Sequence, residues 1–161
     1  MIILGIDPGT ATTGFGVIKT SNALSCMAYG LIKYGLIKTD PTWTMPQRLK
    51  KLYNELNKLI KKYRPEILAV ENVYFFKNLK TALPVSQAKG VILLAAAKKN
   101  IPVYEFTPLQ VKMAVAGYGK AEKEQVQKMV KVLLNLKEIP RPDDAADALG
   151  IAICYQKSLA P

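Results

Sequence analysis

The sequence predicts an α/β fold in which short buried strands alternate with helices. Two apolar segments that each end in an acid, Met1 to Asp7 and Ile67 to Glu71, predict central strands, because strands buried on both faces are apolar throughout. Residues 46–63 carry leucines at helical spacing with lysines at the remaining positions, a pattern typical of an amphipathic helix. We therefore expect an α/β order with the two apolar strands adjacent and parallel.

The remaining elements follow from turn residues and from hydrophobic spacing. Residues 14–19 are expected to form a hairpin with the first strand, and the glycine-interrupted third strand is expected to contain a kink or bulge. Pro65 ends the first helix, whereas Thr107 and Pro108 open a later one. The predicted strands are 1–7, 14–19, 26–38, 67–71 and 101–106, and the predicted helices are 46–63, 81–100, 107–115, 122–136 and 143–156.

The 161 residues suit one compact domain with a hydrophobic core, and they exclude large multidomain machinery. No repeat, low-complexity tract or Gly/Ser linker divides the chain. We expect a single domain over residues 1–156, followed by a short tail over residues 157–161.

The charge balance points to a polyanionic partner. Lys and Arg number 23 against 12 Asp and Glu, which gives a formal net charge of +11. The sequence contains no histidine, and this excludes Ser-His-Asp triads, Cys-His pairs and imidazole-ligated zinc sites built from this chain alone. Any chemistry must rest on carboxylates, hydroxyls, lysines or a metal.

No segment of the sequence predicts a membrane association. The apolar amino terminus has no basic leader and breaks at Asp7 and Pro8, so it is interpreted as a strand and not as a signal peptide. The longest apolar run, Val91 to Ala97, is far shorter than the ~20 residues needed to span a bilayer. The expected location is the cytoplasm.

Two of the acids are expected to meet at one edge of the sheet. Asp7 and Glu71 each close a buried strand, and neighbouring strands lie ~4.8 Å apart. If the two strands are parallel neighbours, both carboxylates lie at their carboxyl ends, where open α/β sheets bind ligands.

A second pair of acids lies near the start of the last predicted helix. Asp144 and Asp147 are three residues apart and therefore project from the same helical face. Capping of the helix is an alternative role for acids at this place. We expect Asp143 to be the capping residue. The apolar neighbours of Asp147 suggest that this acid is buried and does not serve as a cap.

Four converging acids predict a metal site, because their charges repel each other unless a cation neutralises them. Mg²⁺ and Mn²⁺ prefer oxygen ligands. Two such ions ~3.5 to 4 Å apart can clamp a phosphodiester, activate water and stabilise the leaving oxygen. In this interpretation the lysines hold a phosphate backbone and the carboxylates, through the metal, cut it.

Six short motifs occur in a specific order along the chain. They are ILGIDPGT at 3–10, TGFGVI at 13–18, AVENVY at 69–74, QVK at 110–112, GYGKAEK at 117–123 and DDAADAL at 143–149. Each motif alone is weak, but the ordered set resembles the bacterial RuvC family of Holliday-junction resolvases. The resemblance runs from Met1 to about Tyr155.

This resemblance implies a ribonuclease-H-like mixed five-stranded sheet flanked by helices, and a homodimer. It implies Mg²⁺-dependent cleavage of two symmetric strands of a four-way DNA junction, leaving 5′-phosphate and 3′-hydroxyl ends in recombination and DNA repair. A branch-migration helicase complex is the implied partner. The catalytic and metal-binding positions of the family fall on Asp7, Glu71, Asp144 and Asp147, the third of which is His in some members.

The resemblance also implies residues that contact DNA. Lys112 and Lys123 match family positions near the phosphate backbone, where they either stabilise charge in the transition state or only position the phosphate. Tyr74 is expected to stack on an unpaired base, with Phe75 and Lys77 as further contacts. At least one of the neighbouring aromatic side chains is instead expected to anchor the loop by burial.

The apolar run from Val91 to Ala97 bears on the oligomeric state. It is apolar around the whole helix, whereas a helix beside a single sheet needs only one apolar face. The alternatives are complete burial within one chain and an exposed second face that packs on a twofold mate.

Other functions compete with a nuclease. The segment Asp7 to Thr10, followed by Gly14 and Gly16, also resembles the phosphate loop of the actin and sugar-kinase superfamily, but the chain has no room for the second half of that fold. A noncatalytic nucleic-acid binder explains the lysines but not the two acids near the last helix. A related resolvase acting on RNA remains a third alternative.

Overall fold

The computed structural model describes residues 1–20, 29–72 and 79–159. Within these ranges the chain forms five strands and five helices. In chain order they are β1 (Ile2–Asp7), β2 (Thr12–Thr20), β3 (Tyr29–Lys38), α1 (Met45–Tyr63), β4 (Ile67–Glu71), α2 (Leu79–Ala97), β5 (Val103–Phe106), α3 (Pro108–Ala116), α4 (Lys123–Leu133) and α5 (Asp143–Ser158).

The strands form one mixed sheet in the order β3-β2-β1-β4-β5. The hairpin strands β1, β2 and β3 pair antiparallel, whereas β4 pairs parallel with β1 and with β5. The prediction that the two apolar strands are parallel neighbours is therefore confirmed. The predicted irregularity is also present, since the register against β3 shifts between Val17 and Ile18 and leaves Ile32 as the extra residue.

Each face of the sheet carries its own core. Successive side chains of a strand point to opposite faces of the sheet. Ile3 lies in the core between the sheet and the helices α3, α4 and α5. Leu4 and Ile6 lie in the core between the sheet and the helices α1 and α2. Contacts of α5 with β1 and β2 place it directly on the sheet, and α3 and α4 pack on α5. This layering fixes α5 relative to the end of β1.

Several helix ends, and one helix cap, differ from the sequence predictions. The predicted helix ends at 100 and 136 are too late, because Asn100 and Asn135 adopt left-handed backbone angles (φ 53° and 50°) just after α2 and α4 end. The expectation that Asp143 caps α5 is wrong. Pro142 occupies the cap position and Asp143 is the first helical residue, so its carboxylate is free to form ion pairs.

In the part of the chain that the structure describes, none of the helices is long and apolar enough to cross a membrane.

Candidate active site

The first two acids are placed by the pairing of β1 with β4. Ile6 and Val70 are the last registered pair of this parallel ladder, and Asp7 and Glu71 are the residues that follow them. Both carboxylates therefore lie at the carboxyl edge of adjacent strands, as the sequence predicts. Each residue is partly buried.

The other two acids are brought to this edge by close packing of α5. A Cβ built on Gly14 would lie 2.0 Å from the carbonyl oxygen of Asp144, and one on Gly5 would lie 2.1 Å from that of Ala148. Only glycine at these positions lets the helix backbone approach the sheet so closely. The first turns of α5 therefore carry Asp144 and Asp147 to the end of β1.

Three of the four predicted acids come together. Asp7, Asp144 and Asp147, called the acid cluster below, each offer a carboxylate oxygen, and these atoms lie within 4.8 Å of one another. Glu71 is not part of this tight group. It lies beside Asp147 in a cleft of about 180 Å³ that Lys112 and Lys123 also line. A set of hard carboxylate oxygens at this spacing fits Mg²⁺ or Mn²⁺.

The electrostatics of the acid cluster favour a bound cation. Burial first, and then the charges of Glu71, Asp147 and Asp144, raise the pKa of Asp7 to about 8. Burial also raises the pKa of Glu71 and that of Asp147. A divalent cation would reverse these shifts, because it stabilises the ionised carboxylates.

A lysine stands beside the acid cluster. Lys123, the first residue of α4, places its Nζ atom 2.9 Å from Oδ2 of Asp147 and 3.6 Å from Oδ2 of Asp143. Burial acts to lower the pKa of Lys123, but the two carboxylates outweigh it and the net shift is upward. Lys123 is therefore a positively charged side chain held next to the acid cluster.

Sequence reasoning missed the roles of two further residues of the site, since it gave Thr12 no role and assigned Asp143 to the helix cap. Thr12 donates a hydrogen bond from Oγ1 to Oδ2 of Asp144 over 2.6 Å. Asp143 pairs with Arg141 as well as with Lys123, so it links the start of α5 to the start of α4. Thr12 lies 132 positions from its partner, and no local pattern signals such a contact.

Three predicted DNA contacts, Tyr74, Phe75 and Lys77, lie outside the described residues. Asn72 is the last described residue before them and directly follows Glu71. Asn72 donates its backbone N–H to the carbonyl oxygen of Phe106 over 2.7 Å, which holds the end of β4 beside β5.

The sheet order, with acids at the ends of its two central strands and on the helix that crosses them, defines a nuclease of the ribonuclease-H-like class. A family model described as "Crossover junction endodeoxyribonuclease RuvC" matches residues 3–155. The chain belongs to the RuvC family.

Relatives and solved structures agree with this assignment. A crossover junction endodeoxyribonuclease RuvC of Desulforamulus reducens is 57% identical over 155 residues, covering 96% of this chain and 93% of the relative. The RuvC structure of Thermus thermophilus superposes with a TM-score of 0.90 at 37% identity, covering 98% of this chain and 94% of the other. A T. thermophilus RuvC in complex with a Holliday junction substrate gives 0.91 at 38% identity, with the same coverage.

Proposed function

We propose that this chain is a Mg²⁺-dependent endodeoxyribonuclease that resolves Holliday junctions by paired, symmetric hydrolysis of phosphodiester bonds, leaving 5′-phosphate and 3′-hydroxyl ends. The observation that carries the proposal is the convergence of Asp7, Asp144 and Asp147 within 4.8 Å, in a family of crossover junction endodeoxyribonucleases. The net charge of +11 suits a DNA substrate. In this role the enzyme would act in recombination and DNA repair, in the cytoplasm with the chromosome.

The acid cluster would hold the metal, and Glu71 would complete the set of ligands. A bound Mg²⁺ or Mn²⁺ ion supplies Lewis-acid stabilisation of phosphoryl oxygens and a water of lowered pKa. Two ions per active site are proposed, because Glu71 lies beside Asp147 in the same cleft and would add a fourth carboxylate to the acid cluster. Asp7 would be one of the ligands.

The lysines of the cleft act on the substrate. Lys112 and Lys123 line the same cleft as Glu71 and Asp147, so a phosphate that enters it meets two positive charges. Fixed cations there would stabilise charge that develops on the phosphate during hydrolysis. With the acids holding the cation, the chain accounts for both binding and cleavage without a histidine.

The segment after Glu71 is proposed to select the junction. Tyr74 would stack on a base unpaired at the crossover, and Phe75 and Lys77 would contact the adjacent strand. These roles rest on the resemblance of residues 69–74 to the family motif and on the position of Asn72, where the chain leaves the acidic edge.

A homodimer is proposed because paired cuts need two sites. On α2, Ile92 and Ala96 are fully buried against the sheet, whereas 54% of Leu94 and 67% of Leu83 are exposed. The exposed apolar side suits an isologous contact, and the twofold axis would place two sites symmetrically on the junction. Residues 1–156 would form the nuclease domain of each subunit, with residues 157–161 as a short tail. A branch-migration helicase complex is the proposed further partner.

Cleavage of a synthetic four-way junction tests the proposal. We expect the protein to nick two opposing strands at symmetric positions with Mg²⁺ or Mn²⁺, to leave ends that a DNA ligase reseals directly, and to stop in a chelator. A linear duplex with the sequence of one arm is the control and should stay intact. Equal cleavage of the duplex, or cleavage that persists in the chelator, would contradict the proposal.

A further inference from the structure

Thr12, the first residue of β2, reaches across to the last helix. Its Oγ1 donates a partly buried hydrogen bond of 2.6 Å to Oδ2 of Asp144. We propose that Thr12 is a positioning residue that holds the Asp144 carboxylate in the orientation that binds a divalent cation. The inference rests on the proposed function, because it assigns Asp144 to the metal site.

The loop between β1 and β2, which ends just before Thr12, is held by two hydrogen bonds. Thr13 donates its Oγ1 hydrogen bond to the carbonyl oxygen of Gly9 over 2.6 Å. Thr39, just after β3, donates its Oγ1 hydrogen bond to the carbonyl oxygen of Thr10, also over 2.6 Å. These bonds tie the loop between β1 and β2 to both of its neighbours, so the backbone at Thr12 has little freedom to move away from α5.

The partner of the hydroxyl is fixed as well. Gly14 is so close to Asp144 that an added Cβ would lie 2.0 Å from its carbonyl oxygen. The first turn of α5 is therefore seated on β2, next to Thr12. Both backbones are held by packing, so the hydrogen bond between the Thr12 hydroxyl and the Asp144 carboxylate forms before any cation binds. Cation binding then requires no further ordering of the loop.

The chemical consequence follows from the two oxygens of a carboxylate. The Thr12 hydroxyl engages Oδ2 of Asp144 and restricts rotation of the carboxylate, while Oδ1 and the remaining lone pairs stay open to a cation. Hydrogen bonds of this kind to metal ligands typically change metal affinity about 10- to 100-fold. Removal of the hydroxyl should therefore weaken metal binding while the other ligands remain in place.

The test is calorimetric titration of the full chain with Mn²⁺ in the absence of DNA. Thr12→Val, which keeps the shape but removes the hydroxyl, should bind Mn²⁺ about 10-fold more weakly, and Thr12→Ser should stay within about twofold of the parent. Thr12→Ala adds no bulk and should match Thr12→Val, which keeps the test valid if valine disturbs folding. Thr42→Val is the matched control, because Thr42 makes a bond of the same type and length to Asp40 on the exposed surface.

A second readout separates positioning from a purely structural role. The Mn²⁺ concentration for half-maximal junction cleavage should rise about 10-fold in Thr12→Val, while the rate at saturating Mn²⁺ should stay within about twofold of the parent. Unchanged Mn²⁺ affinity in Thr12→Val and Thr12→Ala would overturn the inference, as would a Thr12→Ser protein as weak as Thr12→Val. If the parent itself bound no Mn²⁺, the proposed function would fail, and this inference with it.

Discussion

Lys123 Nζ lies 2.9 Å from Oδ2 of Asp147, so the acid cluster has a protein cation in contact with it. The ion pair lowers the electrostatic cost of holding several acids at one edge of the sheet when no metal is bound. It also holds the lysine beside the cleft that would receive a phosphate. A bound metal would compete with Lys123 for Asp147 and would leave the lysine free for the substrate.

Replacement of Lys123 by Met separates metal binding from cleavage. We expect Mn²⁺ affinity to be kept or to increase severalfold, because Asp147 loses a competing cation. Junction cleavage should slow by about 10²-fold, since a charge that stabilises the transition state is lost. Titration calorimetry and single-turnover cleavage measure the two effects.

Lys128→Met is the matched control for this variant. Lys128 lies on the same helix and pairs on the exposed surface with Glu124 at 2.8 Å, so neither property should change. Loss of Mn²⁺ affinity in Lys123→Met would show that the lysine supports the acid cluster instead of competing for it.

The affinity for Mn²⁺ should depend on pH through Asp7. Burial and the neighbouring acids together raise the pKa of Asp7 to about 8, so a proton competes with the metal at lower pH. Affinity should therefore increase with pH by up to about tenfold per unit and level off near pH 8, with proton release on binding. Calorimetry in buffers of different ionisation enthalpy measures both. A flat profile between pH 5.5 and 8 would contradict the role of Asp7 as a ligand.

Close packing of α5 on β2 predicts a specific sensitivity at Gly14. In Gly14→Ala the new Cβ would lie 2.0 Å from the carbonyl oxygen of Asp144, so the helix must move. We expect a loss of about 1–3 kcal/mol in the free energy of unfolding, together with weaker Mn²⁺ binding because Asp144 shifts. Urea denaturation measures the stability.

Gly30→Ala is the control for that variant. Gly30 lies exposed on β3, and the nearest atom to an added Cβ is the carbonyl oxygen of Lys19 at an ordinary contact distance of 3.8 Å. Its free energy of unfolding should stay within about 0.5 kcal/mol of the parent. A Gly14→Ala protein as stable as the parent would show that α5 is less tightly seated than the structure indicates.

Leu94→Glu should test the proposed dimer. It places a charge on the exposed apolar side of α2 (54% exposed), where a twofold contact would bury it. We expect a monomer by light scattering, and single unpaired nicks in place of paired cleavage. Val132→Glu, at a 66% exposed position on α4, should leave the mass and the paired cleavage unchanged. A dimer that persists in Leu94→Glu would exclude this face.

The sequence predicted those parts of the site that depend on local pattern. Asp7 and Glu71 were predictable because each ends an apolar strand and parallel strands align their carboxyl ends. Asp144 and Asp147 were predictable from their helical spacing. The tighter grouping of three acids was not predictable from the sequence. It depends on the position of α5 relative to β2, and the contacts of Gly5 and Gly14 fix that position only in the folded chain.

The other features missed by the sequence analysis depend on long-range contacts. The Thr12 hydroxyl bonds to a partner 132 residues away, and a threonine that follows the turn over residues 8–11 carries no signal of that partner. Asp143 was wrongly predicted to be the cap because aspartate is a preferred residue type at that position. In the structure Pro142 occupies the cap position instead. The ion pairs with Arg141 and Lys123 then determine the role of Asp143.

Asp7→Asn on a synthetic four-way junction tests the central claim most directly, namely that the carboxylates at this sheet edge form the catalytic metal site. The substitution keeps the shape of the side chain but replaces a carboxylate of the acid cluster with a neutral amide. We expect junction binding as tight as the parent or tighter, since the lysines that hold the phosphates are unchanged, and no detectable cleavage with Mg²⁺ or Mn²⁺. Cleavage at the parental rate by Asp7→Asn would contradict it.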